Sequence, residues 1–338
     1  VHWESDDVGA FVARPAGVDE TSVRHGASLL GPLARVATDA AVTDIVVNGG
    51  AVWADRGRGM EREESIRLEP GETHELAVRL VALGGRHLDE ASPAVDARLP
   101  GGVRVHAILA PVAAPAPLLS IRLPAQHALG IDALDAAGAF PPGVRALLEG
   151  LVRSRRNLLV TGAAGSGKTT LLAALLALAE ATERLVLVED VAELRVAHEH
   201  VVALEARQPN LEGAGAIGLA RLVREALRMR PDRIVLGECR GAEIRELLSA
   251  MNTGHDGGAG TLHANSLADV PARLEALGAL AGLDPSAVAR QASSAIGAVI
   301  HLGRVHGIRT VVGVGRLQVD HRDRLTVGQV WPPADAAS

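Results

Sequence analysis

Between residues 162 and 169 the chain reads Gly-Ala-Ala-Gly-Ser-Gly-Lys-Thr, which satisfies G-x-x-x-x-G-K-[ST] at every fixed position. An apolar stretch, Asn157–Thr161, precedes it, and a helix rich in Leu and Ala is expected over Lys168–Glu180. Strand, glycine loop and helix in that order restrict the fold to the α/β class. The glycines let the backbone turn its N–H groups inward on one point, and the helix N-terminus adds partial positive charge there. Gly162, Ala163, Ala164, Gly165, Ser166 and Gly167 are therefore expected to cradle the phosphates of ATP. Lys168 should reach the β- and γ-phosphates, and Thr169 should offer its hydroxyl oxygen to Mg²⁺, with Thr170 completing the nucleotide-binding set. Of the 34 basic residues, Lys168 is the only lysine. Arginine serves everywhere else, so the exception marks a place where a slim ammonium is needed and a planar guanidinium fits poorly.

After the loop, short apolar strands (Leu185–Val188, Val201–Leu204, Ile234–Leu236) alternate with helices at Ile217–Arg228 and Ile244–Asn252. Continuous apolar strands between helices suit a mainly parallel sheet covered on both faces. This predicts a RecA-like P-loop NTPase domain over residues 143–332. Upstream, Asp44–Asn48, Gly49-Gly50 and Val52–Ala54 read as a β-hairpin. Pro70–Leu83 has helical spacing behind the start signal Glu69-Pro70, while Val103–Leu109 and Leu118–Leu123 read as strands. Together they predict a smaller α+β domain over 27–124. Residues 1–26 read as a flexible N-terminal arm, the Ala/Pro/Gly-rich 125–142 as a linker, and 333–338 as a C-terminal tail.

Composition narrows the function. A net charge of −6 argues against nucleic acid as a partner, and the five aromatics (three Trp, two Phe) form no cluster on which bases could stack. The single cysteine, Cys239, allows neither an internal disulfide nor a multi-cysteine zinc site. No stretch reaches the ~18 uninterrupted apolar residues of a membrane span; the longest, Ala107–Ile121, carries Pro111, Pro115 and Pro117 and reads as strand and loop. The acidic opening residues lack the positive region of a signal peptide, so a cytoplasmic chain is expected.

Two acidic pairs follow strands: Glu189-Asp190 and Gly237-Glu238. Strand carboxyl ends converge on ligands in parallel sheets. Glu238 is thus the candidate for polarising the attacking water, and Glu189 for contacting Mg²⁺, partly through water. The competing reading for either is a helix cap. Within Thr253–Asn265, His255 and His263 could donate imidazole N–H groups to a γ-phosphate; a metal site lacks a third ligand, and a satisfied structural hydrogen bond competes for each ring. Arg207, Arg228, Arg230 and Arg240 lie near these acids in sequence, with Arg207 and Arg240 carried forward as phosphate contacts.

These segments together resemble the ATPase superfamily of type II secretion, type IV pili and type IV secretion, most of all its tight-adherence (Tad) pilus branch. The resemblance spans Ala27 to Gly315. Gly162–Thr169 matches the Walker A motif, Leu187–Leu194 the Asp box, Arg228–Gly241 the Walker B region and Thr253–Asn265 the His box. Upstream, Thr43–Gly49, Leu88–His106 and Ser120-Ile121-Arg122 resemble the N-terminal domain of that family. The resemblance implies a homo-hexameric ring acting on an inner-membrane platform protein, at the inner face of the plasma membrane, with ATP and Mg²⁺ as cofactors. It implies Glu189 and Glu238 as acidic catalytic residues beside Lys168, and His263 as a phosphate contact. It also implies that Arg98, Arg104 and Arg122 reach nucleotide. The four-cysteine zinc module common in the type II branch is ruled out by the single cysteine, and the Walker B strand ends in Gly-Glu. Two rival readings are a conjugation-type motor for nucleic acid and a nucleotide-gated scaffold with little turnover.

Overall fold

The computed structural model describes residues 14–15, 26–57, 59–124, 128–207 and 214–332. Most of the arm, the first residues of the expected linker and the C-terminal tail lie outside them. The described residues fall into two compact units, one carried mainly by residues 26–124, the other mainly by 129–207 and 217–332. Strands are numbered in chain order, β1 being the two-residue Arg14–Pro15.

The N-terminal unit is built on six antiparallel strands: β2 (Asp44–Asn48), β3 (Ala51–Asp55), β4 (Met60–Arg67), β5 (Ala94–Arg98), β6 (Arg104–Ile108) and β7 (Leu118–Arg122). They lie in the order β4-β3-β2-β7-β6-β5. Gly49 and Gly50 make the two-residue hairpin turn between β2 and β3, with φ of 56° and 85°. A tight hairpin needs two positive φ values, which glycine adopts at no steric cost. Alternation puts one face inward: Ile45, Val47, Val52, Ala54, Val105, Ala107, Leu119 and Ile121 are all buried. The helix Pro70–Leu83 covers that face with Thr73, Leu76, Ala77, Leu80 and Val81, the i, i+3, i+4 stripe of an amphipathic helix. It starts in a capping box, in which the Glu72 carboxylate accepts the Glu69 N–H at 2.8 Å.

The second unit holds β8 (Leu158–Gly162), β9 (Leu185–Glu189), β10 (Val201–Glu205), β11 (Arg233–Cys239), β12 (Ala259–His263), β13 (Ala298–Val305), β14 (Ile308–Val319) and β15 (Leu325–Trp331). The sheet order is β1-β10-β9-β11-β12-β8-β13-β14-β15. Pairing is parallel from β10 through to β13 and antiparallel at both edges. Every residue of β8 and β9 is buried, as two covered faces require. Successive residues feed opposite cores. Leu159, Val186 and Val188 join helices Leu219–Ala226, Ile244–Asn252, Val270–Leu280 and Pro285–Ala295. Leu158, Val160, Leu185 and Leu187 join Val144–Arg153 and Lys168–Leu176 on the other side.

Residues 129–142, expected as linker, belong to this second core instead. Ile131 opens a six-residue helix, and Ile131, Ala139 and Phe140 pack with Val144 and Leu148. The unit thus begins well before residue 143. The Ala/Pro/Gly content that suggested a linker serves short turns between packed pieces. At the end of the sheet away from the glycine loop, Asn157 is buried and satisfied. Its amide donates to Ala295 O at 2.7 Å and accepts from Gly258 N–H at 2.8 Å.

Candidate active site

The glycine loop leaves β8 and enters the helix Lys168–Leu176, shorter than the expected helix to Glu180. Gly162, Gly165 and Gly167 take φ of 149°, 67° and 94°, values that only glycine adopts readily. At Gly162 space is lacking as well: a Cβ would stand 2.6 Å from both Leu302 O and Ser166 Oγ. The Lys168 side chain is buried, and its ammonium folds over the loop, donating to Gly162 O at 3.1 Å and Ala163 O at 2.9 Å. Burial lowers its pKa, with Glu238 and Glu193 opposing. Ser166 Oγ is buried without a hydrogen-bond partner. A retained cation, an orphaned hydroxyl and a loop whose glycines hold three positive φ values together fit a phosphate chain. Thr169 and Thr170 sit half-buried in the first turn behind it, and Ala163, Ala164 and Gly165 are exposed at the loop tip. Arg309, on β14, donates from Nε to Gly165 O at 3.0 Å and props the loop from outside. The sequence reading missed it, because it is far along the chain.

Glu238 and His263 are brought together. They lie at the ends of β11 and β12, which are neighbours, and β12 in turn neighbours β8. The two Glu238 oxygens contact His263 Nε2 and Arg240 Nη2. His263 Nε2 also lies 3.5 Å from Lys168 Nζ. Burial lowers the His263 pKa, as do the Lys168 and Arg240 charges, against Glu238. Glu238 thus lies between the His263 imidazole and the Arg240 guanidinium, and its Oε1 is buried without a hydrogen-bond partner.

His255 does not join this group. It precedes β12, whereas His263 ends it, and a five-residue strand separates its ends by well over 10 Å. The two histidines therefore cannot share one phosphate, and His255 leaves the site.

Glu189 is deeply buried, as an end-of-strand ligand position allows, yet its surroundings differ from the expected ones. Oε1 accepts the backbone N–H groups of Glu193 and Leu194, both at 2.9 Å, while Oε2 is buried without a partner. Burial pushes its pKa up to about 7. β9 lies three strands from β8, roughly 14 Å at a spacing near 4.8 Å. The acids that act on the Lys168 ammonium are Glu238 and Glu193. Glu189 thus braces the turn that returns Glu193 toward the cradle. Sequence reasoning missed Glu193 because its placement depends on the course of that turn.

Arg207 forms a bridge with Ile217 beyond β10, four strands from β8, and is exposed. Arg228 pairs with Glu225 on its own helical stretch at 3.4 Å. In the N-terminal unit the three expected arginines form one row across adjacent strands: Arg98 lies opposite Arg104, and Arg104 opposite Arg122. Like charges facing each other across strands are unfavourable; Arg122 is relieved by Asp44 at 3.1 Å. Among the described residues no group of His, Cys, Asp and Glu is spaced to hold a metal by itself. For Mg²⁺ the oxygen beside the loop is the Thr169 hydroxyl, whereas Glu189, on β9 three strands from β8, stands too far away to share a cation with it directly. A single hydroxyl suits a hard cation that keeps waters and nucleotide phosphates as its other ligands. No described helix is long and apolar enough to cross a membrane.

The family model described as "Type II/IV secretion system protein" matches residues 27–311. A protein of Mycobacterium tuberculosis (strain H37Rv) named "Putative conjugal transfer protein" is 47% identical over 285 residues, 82% of this chain and 80% of that one. The conjugal transfer protein TrbB of Rhizobium radiobacter is 30% identical over 290 residues, covering 84% and 87%. Among solved structures, the ATPase DotB of Legionella pneumophila superposes with a TM-score of 0.56 at 20% identity, over 87% of this chain and 82% of its own. The pilus retraction motor PilT with bound ADP gives 0.57 at 21%, over 83% and 80%. At such identities the likeness concerns the fold.

Proposed function

The chain belongs to the type II/IV secretion system protein family, and on that footing we propose that it is an Mg²⁺-dependent ATPase that works as a ring-forming motor. In this reading it powers pilus assembly, of the Tad type, or protein secretion. It does so as a homo-hexamer on an inner-membrane platform protein, from the cytoplasmic face. The observation that carries the reading is the convergence of Lys168, Glu238 and His263 at the ends of three adjacent strands. Lys168 and the loop N–H groups hold the phosphates, and Thr169 supplies an oxygen to Mg²⁺. Glu238 orients the water, and His263 and Arg240 move from Glu238 to the phosphoryl oxygens as charge develops. Glu193, set by Glu189, adds a second carboxylate beside the ammonium. When bound, Mg²⁺ supplies charge neutralisation at the phosphates. The arginine row Arg98, Arg104 and Arg122 and the outlying Arg207 are candidates for contacting nucleotide.

A second reading, a conjugation-type motor that drives nucleic acid, gains support from the names of the two relatives. The net charge of −6 and the scarcity of aromatics oppose it. Mg²⁺-ATPase activity measured across size-exclusion fractions, with and without single- and double-stranded DNA, separates the two. Activity confined to a large oligomer and indifferent to DNA is the expected result. Strong stimulation by DNA establishes the second reading, and no hydrolysis in any fraction overturns both.

A further inference from the structure

Beside the loop tip lies an open cavity of about 460 Å³. Ala163 and Ala164 of the glycine loop form one wall, His263 and Asn265 the next, and Asp269 and Arg273 of the following helix the third. It thus adjoins the phosphate cradle on the side of β12. Arg273 is exposed, and among the described residues its guanidinium has neither an ion pair nor a hydrogen bond; only its backbone N–H is engaged, by Asp269 O at 3.0 Å. The ordinary partner for an arginine on a helix is a carboxylate four residues earlier, and Asp269 occupies that position. Its carboxylate instead accepts the Ser266 hydroxyl at 2.7 Å. The Arg273 charge is nonetheless felt inside the site, where it adds a little to the burial that lowers the His263 pKa and slightly opposes the burial that raises that of Cys239. The alanine side chains in the walls add no competing hydrogen-bond group.

We propose that this cavity is a second anion site, which receives inorganic phosphate as it leaves the cradle, with Arg273 as its cation. The inference rests on the ATP-hydrolysing reading above. An unpartnered guanidinium presents a planar fork of donors suited to a tetrahedral oxyanion. The small side chains of Ala163 and Ala164 keep the way from the loop tip to that fork clear. His263, which contacts Lys168 and Glu238, also lines the cavity and so touches both ends of the path. Asp269 on the rim opposes the anion, which keeps the stop brief rather than a trap.

The test uses the full chain loaded with ADP and Mg²⁺ and titrated with inorganic phosphate by isothermal calorimetry. Arg273→Ala is expected to weaken phosphate binding tenfold or more while ADP affinity stays within twofold of the unaltered protein. Arg273→Lys should recover part of the loss. Asp269→Asn, which removes the opposing charge, should tighten phosphate severalfold and keeps the test decisive should Arg273→Ala not fold. Equal phosphate affinity with and without Arg273, no change in Asp269→Asn, or no phosphate binding by the ADP-loaded unaltered protein overturns the site. Failure of the unaltered protein to bind ADP overturns the nucleotide reading instead.

Discussion

Gly237 leaves the space that Glu189 fills: a Cβ on residue 237 would stand 2.6 Å from Glu189 Cγ and 3.0 Å from its Oε1. The Gly-Glu pair near the end of β11 therefore follows from packing. A side chain before Glu238 would displace the carboxylate that braces Glu193. Glu189 has little freedom to give way, being buried and fixed by two backbone N–H groups. Gly237→Ala is expected to cost about 1–3 kcal/mol of stability, the usual range for overpacking. It should also lower ATP turnover more than ATP affinity. Denaturant midpoints and steady-state rates check this, and a Gly237→Ala variant with unaltered stability and turnover contradicts it.

The same carboxylate makes stability depend on pH. Burial raises the Glu189 pKa from 4.5 to about 7. Between these values the folded protein holds a proton that the unfolded chain releases, so this group's contribution to stability falls as pH rises through that window. Glu189→Gln keeps an acceptor for the two N–H groups and removes the ionisation. It should be more stable than the unaltered protein by on the order of 3 kcal/mol above pH 7, with the difference vanishing below about pH 4.5. Unfolding curves at pH 4.5, 6 and 8 decide the matter; a difference that grows toward low pH has the wrong sign.

At the opposite end of β11, Arg233 and Glu183 form a buried ion pair at 2.8 Å, and Arg233 also donates to Val152 O at 3.1 Å. Arg155 contacts the other Glu183 oxygen. Removing one member of such a pair leaves an unpaired buried charge. Glu183→Ala should therefore cost roughly 3–5 kcal/mol. Its ATP affinity, measured at a temperature where the variant is folded, should stay near that of the unaltered protein, because the pair lies away from the cradle. A loss of affinity without a loss of stability contradicts this.

What the sequence made legible was whatever local chemistry determines. The loop Gly162–Thr169, the Gly49-Gly50 turn and the helix Pro70–Leu83 each carry their own signal, and each lies where that signal places it. Strands without a clean period were missed. Met60–Arg67 (Met-Glu-Arg-Glu-Glu-Ser-Ile-Arg) is an edge strand with no fully buried residue, paired only to β3. Its charges suit an edge that must not recruit another chain, and they erase the alternation. β13 and β14 carry register shifts at His301/Leu302 and Val314/Gly315, which scramble their burial pattern. In the site, Glu238 could be read because it follows an apolar strand, and His263 because the glycine-rich segment Thr253–Asn265 that carries it matches a known motif. Glu193 and Arg309 could not, since one depends on the path of a turn and the other on a contact |i−j| = 144 residues apart.

Lys168 holds the phosphates in this reading, while Glu238, once freed from His263 and Arg240, drives hydrolysis. The most direct test measures ATP binding and ATP hydrolysis side by side in the unaltered protein, Lys168→Ala and Glu238→Gln. Lys168→Ala should lose turnover and bind ATP poorly. Glu238→Gln should bind ATP about as tightly as the unaltered protein and hydrolyse it on the order of a hundredfold or more slower, the usual loss for a general base. Hydrolysis by Glu238→Gln at the unaltered rate would contradict the account.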